Sequence, residues 1–174
     1  MEIANSNIAD RTVLEIGKFA VLWNKFERHY FQTQYSRKKL NDKLPVLMRN
    51  YNENNIFQLN RVVRQRIEDL YLNFFGDGKT DYYVRNKLGI KKGFFDRMIP
   101  DDDVEIVKSF IDDFPAQGRE DKMKAAILVC YRIRCNMFHG IKDTTATDIT
   151  GLEAQGQLFE EVNRFLEGLV RRCI

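Results

Sequence analysis

The chain has 174 residues, 44% of them hydrophobic and 30% charged, and its 28 basic and 25 acidic side chains give a formal net charge of +3. This composition suits one folded domain and excludes wholesale disorder, and so small a net charge does not by itself argue for a nucleic-acid partner. No apolar run reaches the roughly 18 residues of a membrane span, the first ten residues lack a basic-then-apolar leader, and three cysteines fit reduced thiols better than a disulfide framework, so a cytoplasmic protein with no membrane contact is expected.

The helical period dominates from the start. Ile16, Phe19, Ala20, Trp23, Phe26, Glu27 and Tyr30 recur at steps of three and four, which predicts an amphipathic helix over about 8–33. Thr12 and Glu15 have capping-box spacing if that helix begins late. Arg37, Lys38 and Lys39 read as a basic loop, and Pro45 as the opening of a second helix over about 45–56. Leu59, Val62, Val63, Arg66, Leu70, Tyr71 and Phe74 form a third stripe, stopped by the turn signal of Gly76 and Gly78. Residues 82–88 and 93–99 read as short helices. Pro100 followed by Asp101, Asp102 and Asp103 makes a helix start, with negative charge at the positive end of the dipole. Val104, Val107, Phe110, Ile111 and Phe114 carry that helix to Pro115. A long helix over about 119–139 should end at Gly140, and residues 141–149 read as a loop. Thr150 and Glu153 form a capping box for the last helix, whose apolar face is Leu158, Phe159, Val162, Phe165, Leu166, Leu169 and Val170. No segment alternates with period two for long enough to argue a strand. The predicted architecture is all-α: an up-and-down bundle of four main helices plus short additional ones. A single domain over 1–174 is expected, with about 77–100 a decoration between bundle helices.

Chemistry concentrates on the penultimate helix. Residues 122–142 contain Lys122, Lys124, Arg132, Arg134 and Lys142 and no acid, so this window is +5 and the rest of the chain is −2. Such a window is either a solvated basic face or a phosphate site. Within it, Arg132, Arg134, Asn136 and His139 interrupt a helix whose body, residues 125–130, is apolar. Buried polar groups are costly unless paired. They form either a satisfied network capping the helix end or a functional cluster. The only histidines are His29 and His139, and His29, beside Arg28, reads as a surface or satisfied residue. With one close cysteine pair, Cys130 and Cys135, and no paired histidines, the four-ligand pattern of structural zinc is missing; no metal and no cofactor are expected. Gly76-Asp77-Gly78-Lys79 lacks P-loop spacing and reads as a turn. The basic loops at 37–39 and 91–92 read as solvated or as flanks of an RNA groove. Tyr82, Tyr83, Phe94 and Phe95 read as packing or as stacking platforms for bases.

Arg134, four intervening residues, then His139 and Gly140 resembles the R-x(4–6)-H signature of HEPN domains. The string Asn136-Met137-Phe138-His139-Gly140-Ile141-Lys142 is similar to the N-L-F-H-G-x-K form of one bacterial branch, and Trp23 with Phe26-Glu27 resembles the first helix of such domains, where an acid commonly faces the site. The resemblance implies a metal-independent endoribonuclease acting as a homodimer on RNA, with one motif from each protomer at the interface. It also implies a toxin or antiphage-defence setting, with an antitoxin or defence-system partner protein. Cys135 departs from the polar residue common after the motif arginine. Ile141 stands where one toxin branch has a modified tyrosine, so that route of inactivation has no counterpart here.

The residue types suit that chemistry. Metal-free RNA cleavage directs the neighbouring 2′-OH at phosphorus and needs a base, an acid and positive charge on the phosphorane. His139 is the acid/base candidate, and Arg134 the group that holds the scissile phosphate. Asn136 would orient His139 or bind the phosphate, and Lys142 would contact the RNA backbone. Glu27 on the first apolar stripe is either an ordinary flank of that stripe or, if buried, an acid that needs a cation, with Arg132 or Arg134 as partner. On one uninterrupted helix, Arg132, Asn136 and His139 share a face, whereas Arg134 lies about 140° from His139. Either the helix ends or bends near Asn136, or Arg132 takes the catalytic place. The alternative function is a non-catalytic HEPN-like helical module that binds RNA or a protein.

Overall fold

A computed structural model describes the backbone of residues 2–73, 76–90, 101–143 and 149–171, and the side chains of 10–73, 76–90, 102–137 and 155–171. All regular structure among them is helical: α1 (Glu2–Phe31), α2 (Arg37–Met48), α3 (Glu53–Leu70), the single turn α4 (Lys79–Tyr82), α5 (Asp101–Asp112), α6 (Arg119–Asp143) and α7 (Ile149–Val170). A π-helical segment, Tyr83–Lys87, continues α4, and a 3-10 turn, Phe114–Ala116, follows α5. Within the described residues no helix is long and apolar enough to cross a membrane.

The stripes read from the sequence become the core. Phe19, Trp23, Phe26 and Tyr30 of α1 are buried against Leu158, Phe159, Val162, Phe165, Leu166 and Leu169 of α7. Burial of each large apolar side chain favours folding by roughly 1.5–3 kcal/mol. Polar contacts set the register: Arg11 with Glu160, Asn163 with Glu15, Lys18 with Glu167, and Tyr30 Oη donating to Leu169 O. Partners advance together along both helices, so α1 and α7 run parallel. Thr12 is not a cap. It lies inside α1, buried, with its Oγ1 only 2.8 Å from where a Cβ on Gly156 would sit. Glycine lets α7 approach α1 there.

The middle of the chain runs back and forth. Phe57 meets Phe114, and Asn60 Nδ2 donates to Phe110 O at 2.6 Å, so α3 and α5 are antiparallel. Lys122 Nζ meets Glu53 at 2.7 Å, at the start of both α3 and α6, so those two helices run together. Helix α5 thus carries the chain back between α3 and α6. Residues 79–90 join the same core through Tyr83, Val84, Leu88 and Ile90.

Three boundaries differ from expectation. Residues 37–39 form the first turn of α2, and Pro45 lies inside that helix rather than opening it. Ser36 adopts extended N-cap angles there, and Leu40, Leu44 and Leu47 supply enough buried apolar surface to outweigh the hydrogen bond that proline omits. Helix α3 ends at Leu70, before the glycine turn. Helix α6 runs through Gly140 to Asp143. A glycine in a helix costs only about 1 kcal/mol relative to alanine and is no obligatory stop. The predicted helix at 93–99 and the caps at Pro100 and Thr150 lie outside the described side chains.

Candidate functional site

Helix α6 is buried on all sides over residues 125–130 and then turns polar at Tyr131. The polar half has a structural task. The π-helical segment ends at Leu88, whose N–H donates to Tyr83 O, and Ile90 N–H donates to Val84 O. Carbonyls at such an end lack intrahelical partners. Arg132 Nε donates to Leu88 O at 2.7 Å, and Asn136 Nδ2 donates to Lys87 O at 3.1 Å and Leu88 O at 3.2 Å. Gly89 favours this arrangement: its φ is +76°, and a Cβ there would lie 2.6 Å from Arg132 Nη2, which would have to shift.

The candidate residues separate into two groups. Arg132 and Asn136 are brought together, one turn apart, on the face that caps the π segment. Arg134 is exposed and makes no hydrogen bond or ion pair among the described residues. His139 and Lys142 lie on the described backbone of α6, and their side chains are outside the described residues. Because α6 is helical throughout, it does not end near Asn136, and Arg134 and His139 of one chain stand about 140° apart. Glu27 differs from expectation: its Oε2 accepts the Tyr35 N–H at 2.7 Å, and it meets neither arginine. A backbone donor in the turn after α1 satisfies the half-buried acid in place of a cation.

The basic window is less concentrated than its composition suggests. Lys122 is buried, paired with Glu53 and stacked 4.2 Å over Phe114. Arg132 points its Nε into the Leu88 turn. Of the cations described in this window, Arg134 is the most exposed, while Lys124 and Arg132 are half-buried. His29 is an exposed residue on α1, edge-on to Tyr30. Tyr82 is exposed and edge-on to Tyr71, whereas Tyr83 is core.

Two cavities flank α6. One, of about 100 Å³, is mainly apolar, between Ile16, Ile133, Met137, Leu158 and Phe159, with Asn136 on its wall. The other, of about 190 Å³, lies between α2, α5 and α6 and is lined by Tyr35, Arg37, Asp103, Leu128, Tyr131 and Arg132. Arg37 chelates the buried Asp103 there, with Nε and Nη2 both 2.7 Å from carboxylate oxygens. Burial pushes the Tyr131 hydroxyl above its usual range, reinforced by its hydrogen bond with Cys135. Tyr35, Arg37 and Tyr131 were not singled out as pocket residues by sequence. Their spacing is ordinary helix and turn spacing, and only the packing of three helices brings them together. Among the described residues no group of three or more His, Cys, Asp or Glu is placed to hold a metal ion.

Comparisons of this chain with protein-family models, with curated proteins and with solved structures found no match.

Proposed function

We propose that the protein is a metal-independent endoribonuclease of the HEPN type, acting as a homodimer in the cytoplasm. The observation that carries this reading is the Asn136-to-Lys142 string on a continuous helix, preceded by Arg134, a solvent-facing guanidinium with no partner among the described residues. An arginine held free of salt bridges is available for a phosphate, which it binds through two donors. The 140° separation within one helix is not an obstacle in a dimer: a two-fold axis beside α6 sets Arg134 of one protomer against His139 of the other. His139 then serves as acid/base, Arg134 holds the scissile phosphate and Lys142 the RNA backbone. Asn136 retains its Oδ1 for orienting His139 while its amide nitrogen caps the π segment. The bundle consists, in this reading, of α1, α3, α6 and α7 as four main helices, with the shorter elements added. The setting is a toxin or antiphage system with a cognate partner protein.

One observation favours the non-catalytic module that binds RNA or a protein. Arg132, Asn136 and Glu27 each spend a hydrogen-bonding group on backbone, which is what a structural network does. Incubating the protein and His139→Ala with total RNA in chelator separates the two. The enzyme cleaves only as the parent and leaves 2′,3′-cyclic phosphate ends. RNA left intact by the parent as well supports the binding module. In parallel, Arg134→Ala should lose cleavage; undiminished cutting by that variant refutes the role of Arg134.

A further inference from the structure

The pocket between α2, α5 and α6 has features that packing alone does not account for. Tyr35 is 8% exposed, lines the pocket, and its hydroxyl has no hydrogen-bond partner among the described residues. Native proteins pair the great majority of such groups. The charged groups that act on this hydroxyl, Arg37 and Asp103, line the same pocket as Tyr35 itself. Arg132, on the opposite wall, uses Nε on Leu88 O and leaves Nη1 and Nη2 without a hydrogen bond or acidic partner among the described residues. The pocket floor is the start of α2, a helix of 12 residues. Ser36 has N-cap backbone angles there, yet its side chain makes no capping bond. The Arg37 and Lys38 N–H groups and the Ser36 hydroxyl therefore stay open at the positive end of the helix dipole, whereas Lys39 N–H is already bonded to Ser36 O. Arg37 is neutralised by Asp103, so the positive charge of Arg132 is the uncompensated one in the lining. Glu27 binds Tyr35 N–H from outside the pocket. The remaining wall is apolar and aromatic: Ile90, Leu128 and the Tyr131 ring, whose centroid is 4.4 Å from that of Tyr35.

We propose that this pocket binds a small phosphate monoester. The phosphoryl oxygens take the free nitrogens of Arg132, the Tyr35 hydroxyl and the open N-terminus of α2, and the organic part lies against Leu128, Ile90 and the Tyr131 ring. Helix N-termini with an added guanidinium are ready-made phosphate sites. A volume of about 190 Å³ accommodates a small ester and excludes a folded polynucleotide. Arg132 points about 160° away from Arg134 around α6 but shares a face with Asn136 and His139, so the pocket adjoins the proposed ribonuclease face; binding of a small ester there does not require RNA cleavage.

The test is calorimetric titration of the full chain with inorganic phosphate, glycerol 3-phosphate and adenosine monophosphate, repeated on Tyr35→Phe and Arg132→Met. At least one ester should bind tighter than inorganic phosphate, and each substitution should weaken it at least about 10-fold, the size of a hydrogen bond to a charged group. Tyr35→Phe guards against misfolding. It removes a hydroxyl that has no partner, so without ligand its melting temperature should equal or exceed the parent's while its affinity falls. No saturable binding of any probe overturns the proposal. So does inorganic phosphate binding as tightly as both esters, or ester affinity unchanged in Tyr35→Phe.

Discussion

The two halves of α6 are one helix under opposite demands. Residues 125–130 are buried on every side, the mark of a helix through the centre of a core. From Tyr131 onward the same helix meets backbone carbonyls, a pocket and solvent within two turns. In the first half, side chains are selected by volume. In the second, they are selected by which hydrogen-bonding group reaches which atom. A helix can serve both ends because its own backbone bonds are satisfied internally, leaving side chains free to answer different surroundings.

Four substitutions sharpen that contrast. Ile127→Ala, in the fully buried half, should have the largest effect, a loss of about 2–5 kcal/mol in urea unfolding, from lost burial plus a cavity. Next is Gly89→Ala, which places a Cβ at positive φ against the Arg132 guanidinium; it should cost about 1–3 kcal/mol by the same measurement. Asn136→Ala removes the bonds to Lys87 and Leu88 carbonyls and should cost about 1 kcal/mol. Were it as damaging as Ile127→Ala, the polar half would be core in disguise. Arg134→Ala, touching no described partner, should leave the melting temperature unchanged, so any loss of RNA cleavage in it is chemical and not a failure to fold.

The other end of the α4–π segment supplies a pH dependence. Hydrogen bonds from Lys108 and then Arg85 hold the Asp81 carboxyl below its usual range. A depressed carboxyl contributes stability above the ordinary aspartate pKa, about 3.9, and loses it as pH falls through the folded-state value. Asp81→Asn should therefore be less stable than the parent at pH 7, by a small margin given the half-exposed pair, and the gap should close below about pH 4. Denaturation midpoints of both proteins from pH 7 to 3 check this; a constant gap would show that the ion pairs contribute nothing.

Most of the helices were legible, because their signal is periodic and local. The stripes of α5 and α7 map onto the core almost residue by residue, whereas Ala20 on the stripe of α1 and Leu70 on that of α3 are exposed. Boundaries are less legible at glycine and proline. Pro45 and Gly140 both lie inside helices, because packing and propagation outweigh a single unfavourable residue. Of the candidate site, the sequence places Arg134 and His139 on one long helix, yet it leaves Glu27 as either a stripe flank or an arginine's partner, whereas the acceptor is used by Tyr35 N–H, eight residues on. Nothing local distinguishes those two partners.

The all-helical character and the membership of the core were determined by the sequence alone, since a 3.6-residue apolar period specifies both the element and the face it buries. The tertiary structure decided which polar groups are free and which are committed. It decided that Arg132 and Asn136 hold a distant turn, that Lys122 is buried against Glu53, and that Tyr35, Ser36 and Arg132 enclose one pocket. Such assignments depend on contacts between residues tens of positions apart, and a hydrogen bond's partner is fixed by distance and angle, which no linear pattern encodes.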